Sequence, residues 1–109
     1  MSTKSQQVRT LNDQFRMTFH GGKVMMTHGI QDLGDEEVAL ILLAIQRFDQ
    51  FTDDNDPHGE HDFGSFKHDG RKVFFKIDYY DRTMEFASAD PSDPMVTTRV
   101  LTVMLASEY

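Results

Sequence analysis

Asp69-Gly70 stands between two apolar stretches and constrains the fold more than any other pair in the chain. Asp-Gly in that setting marks a tight hairpin turn, because both turn positions need positive φ. The segment after it, KVFFKIDYYD (72–81), alternates strictly. Val73, Phe75, Ile77 and Tyr79 fall on one face, and Phe74, Lys76, Asp78 and Tyr80 on the other, as side chains do along a strand. The first set is expected to face a core. Residues 63–67 supply the strand before the turn. A tight turn near Asp81-Arg82 leads to a further strand over 83–87.

Helical signals surround this hairpin. Val8, Leu11, Phe15 and Phe19 make an apolar stripe that predicts a helix over 5–19, stopped by Gly21-Gly22. Residues 23–28 read as a short strand ended by Gly29. Asp32 or Gly34 caps the next helix, with Asp35, Glu36 and Glu37 in its first turn at the positive end of the helix dipole. This helix is expected to run to about Phe51. Its middle, ALILLAI, is apolar nearly all round and predicts a central buried helix. Asp93 as N-cap and Pro94 at the first helical position predict a last helix, burying Val96, Val100, Leu101, Met104 and Leu105. The expected order is α-β-α-β-β-β-α. That is an α+β fold, a mainly antiparallel three- to four-stranded sheet packed with helices, in a single domain over residues 1–109.

Nine Phe in 109 residues suffice for one packed core. The chain has no cysteine, which excludes disulfides and thiolate metal sites and fits a reducing cytoplasm. Its start, MSTKSQQVRT, is polar, so no signal peptide is expected. The longest apolar run, VALILLAI (38–45), is too short to span a bilayer. Against 11 basic residues stand 18 acidic ones, a net charge of −7. Such a chain is repelled by nucleic acid and by anionic membrane. Direct contact with either is not expected, and a protein partner with a basic surface is.

The acid is concentrated in TDDNDPHGEHDFG (52–64), which holds Asp53, Asp54, Asp56, Glu60 and Asp62 with His58 and His61, and no Lys or Arg. Weak metal candidates are Asp56, His58, His61 and Asp62, joined by Glu60 in a hydrolase reading. Counted as an EF-hand loop from Asp54, the stretch has His58 at position 5 and Ser65 at position 12, and both break the pattern. His58-x-x-His61 is not the H-E-x-x-H of a zinc protease helix, and Pro57 and Gly59 argue against a helix there. For catalysis, Glu60, His61 and Asp62 could work with Lys76 and Asp78 on the next strand. The metal-nuclease spacing fails, because Phe74 stands two residues before Lys76 where an acid is needed. No G-x-S-x-G, Walker A or G-x-G-x-x-G motif exists. Asp and Asn side chains also stabilise turns by bonding nearby backbone. No cofactor and no catalytic residue is assigned.

FTDDNDPHGEHDFGSF (51–66), FFKIDYYD (74–81) and DPMVTTRVLTVMLASEY (93–109) resemble a small bacterial family of domains of unknown function. The resemblance implies a stand-alone protein of about this length, typical of plasmids and other mobile elements and found beside anti-restriction genes. It carries no activity onto any residue. Together with the charge, it favours a binding protein, an anti-defence inhibitor of the anti-restriction or anti-CRISPR kind that engages a nucleic-acid-binding protein. The expected partner surface is Asp53, Asp54, Asp56, His58, Glu60, His61, Asp62, Asp78, Tyr80 and Asp81. The alternative is a metal-dependent hydrolase or metal-responsive domain built on the same loop.

Overall fold

The computed structural model describes residues 3–109. The chain runs α1 (Lys4–Thr18), β1 (Gly22–Met26), α2 (His28–Gln31), α3 (Asp35–Gln46), β2 (Phe63–His68), β3 (Arg71–Tyr80), β4 (Thr98–Leu105) and a closing 3-10 turn (Ala106–Glu108). The fold is α+β, as expected, but its order differs and its sheet is mixed. The strands lie in the order β1-β4-β3-β2. β3 pairs antiparallel with both neighbours, whereas β1 runs parallel to β4. No helix among the described residues is long and apolar enough to cross a membrane.

The hairpin is as the sequence predicts. Asp69 and Gly70 take φ of 51° and 78°, and His68 pairs with Arg71 across the turn. Val73, Phe75 and Ile77 are buried on the face toward the helices. There they join Phe15 of α1 and Ile41 and Ile45 of α3 in one core.

Three expectations are corrected. Residues 98–105 form strand β4, not a helix. The Asp93-Pro94 signal is a turn, in which Asp93 Oδ1 accepts from the Met95 amide at 2.9 Å. β4 lies between β1 and β3, so Arg99, Val100, Leu101, Val103 and Met104 are buried on both faces. A strand covered on both sides loses its alternation. Residues 83–87 form no strand beyond one bridge from Tyr80 to Ala87. They are exposed throughout and bury nothing that would pin a register. Third, α3 ends at Gln46 rather than near Phe51 and buries only Ile41 and Ile45. Leu40 and Leu43 are exposed, because a helix lying on one face of a sheet needs a single apolar stripe.

Smaller differences follow from local chemistry. Thr3 and Gln6 cap the start of α1 reciprocally. Its end is closed by Phe19 in the left-handed region at φ 59°, with Gly21 at φ 93° turning the chain into β1. His28 and Gly29 belong to α2 rather than to a strand end. The Thr27 side chain makes no cap bond to α2. Glu108 reaches across instead, taking the Gly29 amide at 3.0 Å and the Thr27 hydroxyl at 2.6 Å. It also accepts from the Leu105 amide at 2.9 Å. These bonds, that of Thr27 first, hold Glu108 below its usual carboxylate range.

Gly64 shows how tightly β2 lies against the rings of Phe75 and Phe48. A Cβ there would stand 2.3 Å from Phe75 Cε2 and 2.9 Å from Phe48 Cε2. Gly64→Ala is expected to destabilise the fold by about 1–3 kcal/mol through overpacking. A fall in the urea midpoint at unchanged slope would report it, and an unchanged midpoint would contradict this packing.

Candidate functional site

Two regions are built with more chemistry than the fold requires. The first is the acidic segment between α3 and β2, and its position depends on helix α1. Asn12 is 0% exposed. Its Nδ2 donates to the Glu60 carbonyl at 3.0 Å and to the Tyr79 hydroxyl at 2.8 Å. Its Oδ1 accepts from Arg99 Nε at 2.8 Å. Tyr79 in turn donates to Glu60 Oε1 at 2.9 Å. Arg99 lies over the Tyr79 ring, 5.3 Å from its centre, and donates through Nη2 to the Pro91 carbonyl. Burial, with Asp62 and Glu60 nearby, pushes the Tyr79 phenol up from its ordinary value, so it stays a neutral donor. Burial likewise pulls the Arg99 guanidinium down, against Tyr79 and Glu60, which raise it.

The second layer is held by His61, at a left-handed φ of 57°. Nδ1 meets Asp13 Oδ1 at 2.9 Å, and Nε2 stands 3.6 Å from Asp56 Oδ2. The ring stacks flat on Phe51, centres 3.9 Å apart. Asp56 is buried, and its Oδ1 accepts from the amides of Glu60 and His61, both at 3.0 Å. Asp13 also takes Arg16 Nη1 at 2.8 Å, and the Arg16 guanidinium lies over Phe51 at 5.1 Å, a favourable seat for a cation. Asp62 continues the edge of the sheet, its carbonyl accepting from the Ile77 amide at 2.8 Å.

The ten residues expected to form one surface are thereby divided. Asp56, Glu60, His61 and Asp62 come together, facing inward toward α1 and β3. Asp53, Asp54 and His58 are exposed along the loop. Asp78 and Tyr80 lie on the opposite face of the sheet, alternating with the buried Val73, Phe75 and Ile77. Asp78 pairs there with Lys76 at 3.2 Å. Asp81 shapes a turn, accepting from the Thr83 hydroxyl at 2.9 Å and the Glu85 amide at 3.1 Å. The Thr83 bond leads in holding its pKa down. His61 and Lys76 thus do not share a cleft. Among the described residues no three His, Asp or Glu side chains form a group able to hold a metal. Both nitrogens of His61 already face carboxylates.

Sequence reasoning missed Asn12, Asp13, Arg16 and Arg99. Asn12 and Arg16 lie next to the apolar stripe of α1 and are buried with it. Only one signal was available, a polar residue at the spacing of the stripe, four before Arg16 and four after Val8.

The second region is the sheet face away from the helices. Met25, Tyr80, Met84, Val100 and Thr102 line a shallow groove of about 420 Å³ there. Met25 and Met84 are exposed in it, and Phe86 beside it is 71% exposed. Tyr109 packs edge-on against Phe74 and Phe63 and covers the far end.

Asn12→Ala would strand Arg99 Nε and the Glu60 carbonyl in the interior. A loss of about 2–4 kcal/mol is expected, since each orphaned buried group costs about 1–3 kcal/mol, and chemical denaturation measures it. Asp62 acts in the opposite sense. Burial, then the carboxylates of Glu60 and Asp56, raise its pKa. An acid whose folded pKa lies above the unfolded one destabilises the fold wherever the unfolded chain would ionise it. Asp62→Asn is therefore expected to be more stable than the parent at neutral pH, with the gap closing below the carboxylate range. Paired unfolding curves across that range would show it, and a gap independent of pH would contradict it.

No curated protein and no solved structure matches the chain. Residues 26–108 do match a family model, and the matched span holds Glu60, Tyr79 and Arg99 while α1 precedes it. The chain belongs to the family described as protein of unknown function (DUF3768).

Proposed function

We propose that the protein acts by binding a protein partner with a basic surface, without catalysis. The observation that carries this reading is the open face of the sheet. It presents an apolar centre of Met25, Tyr80, Met84 and Val100, with Asp78, Asp81 and Glu85 beside it in the chain. An apolar centre with a polar rim is the anatomy of an interface. Methionine adapts to irregular surfaces, and tyrosine anchors binding energy. The exposed Asp53 and Asp54 and the −7 charge complement a partner of positive sign. A groove that normally holds nucleic acid has that sign, and a protein filling it would act as an anti-defence inhibitor.

Binding is tested with a photo-crosslinking residue at position 84, with position 17 on the outer side of α1 as control. The expected product is a basic partner captured from position 84 and displaced by nucleic acid. Against that partner, Tyr80→Ala should weaken affinity by about 1–3 kcal/mol, in the range of interface anchors. Charge reversal at Asp78 and Glu85 should slow association and reduce its salt dependence. Association rates indifferent to charge reversal would remove the basic-partner reading. Equal capture from both positions would remove this face as the site.

A further inference from the structure

Among the described residues no carboxylate pairs directly with Arg99, and Glu60 acts on its charge only from further off. Arg99 is 3% exposed. Its Nε and Nη2 go to neutral oxygens, those of Asn12 and Pro91. Nη1 has no partner among the described residues. It is not sealed in either, since Arg16 Nε is the buried side-chain atom left without a partner there. Arg99 borders a cavity of about 250 Å³, between the second half of α1, the turn before β1 and the segment leading into β4.

Arg82 and His20 line the same cavity, with Gln14 and Thr97, and no Asp or Glu lines it. An adjoining groove adds Lys23 next to Arg82. In a chain with 18 acidic residues against 11 basic ones, this wall reverses the sign of its surroundings. Leu11, Phe15 and Pro94 give the remaining wall an apolar character.

We propose that this cavity binds a small phosphomonoester. Its phosphate would meet Arg99 Nη1, Arg82 and His20, and its organic part would rest on Leu11, Phe15 and Pro94. Two guanidinium groups and an imidazole from separate elements suit a tetrahedral dianion better than a planar monoanion, and guanidinium is the side chain suited to phosphate. The volume agrees, because a cavity of roughly 150 Å³ holds benzene. The cavity itself shares no lining residue with the sheet face proposed for the partner, but the adjoining groove meets that face at Met84.

The test is calorimetric titration of the full chain with phenyl phosphate, inorganic phosphate and benzoate at one ionic strength. Phenyl phosphate is expected to bind saturably and more tightly than either of the others. Arg82 and His20 are exposed, so R82A and H20A should fold. Each is expected to weaken phenyl phosphate at least tenfold, while K72A, on the distant hairpin, leaves it unchanged. Absence of saturable binding overturns the proposal. So does an affinity unaffected by both R82A and H20A, which would place the anion elsewhere. Benzoate binding as tightly as phenyl phosphate overturns the assignment of a phosphate ligand.

Discussion

The buried amide of Asn12 is the interaction on which the other half of the molecule depends. It is one side chain with three partners, and those partners belong to the acidic segment, β3 and β4. Helix α1 could pack on the sheet through Val8 and Phe15 alone, because apolar contact is non-directional. The amide fixes which way the helix faces and where residue 60 must sit. A fully satisfied buried polar group specifies one arrangement, and a half-satisfied one is costly. Glu60 and His61 can then reach Tyr79 and Asp13 only from one loop path. The charge density of residues 52–64 is therefore in part architecture. Asp56 closes the loop by holding two of its own amides.

How much of this was legible in the sequence depended on how many faces each element buries. β3 buries one face fully, so its alternation was plain, and Asp69-Gly70 fixed the turn. β4 is central and buried on both faces. Val96, Val100, Leu101, Met104 and Leu105 consequently fit a helical period as well as a strand. The arbitrating signal was side-chain shape. Val96, Thr97, Thr98, Val100, Thr102 and Val103 are β-branched, which favours strands, but Asp93-Pro94 read as a helix start and outweighed it. The candidate site was half legible. The loop announced itself by composition, while the residues that position it come from sequence distances such as the 87 positions between Asn12 and Arg99. No local pattern encodes a contact of that range.

Acidic side chains in this protein do three different jobs, and only one of them leaves charge for a partner. Asp56, Asp81, Asp90 and Asp93 hold backbone amides and shape turns. Asp13 and Glu37 hold His61 and His68. Asp53, Asp54, Glu85, Asp35 and Glu36 stay in solvent. Asp62 fits none of these groups well, because its charge is disfavoured where it sits. A residue that costs stability where it sits fits functional use better than structural use.

The cations are distributed by the same logic. Arg16 and Arg99 are buried, so two of the 11 basic residues leave the solvent-facing shell. Arg16 takes Asp13 with it as an ion pair. Arg99 is held by neutral groups instead, and it borders a cavity that Arg82 and His20 also line. Asp56 is buried as well, so the outer shell keeps the acid excess of the composition while one recess reverses it. Charge of opposite sign in separate places sorts ligands before contact, since approach is governed by the local field and not by the net charge. A basic protein surface and a small anion would thus be drawn to different patches of one small domain, patches that meet near Met84.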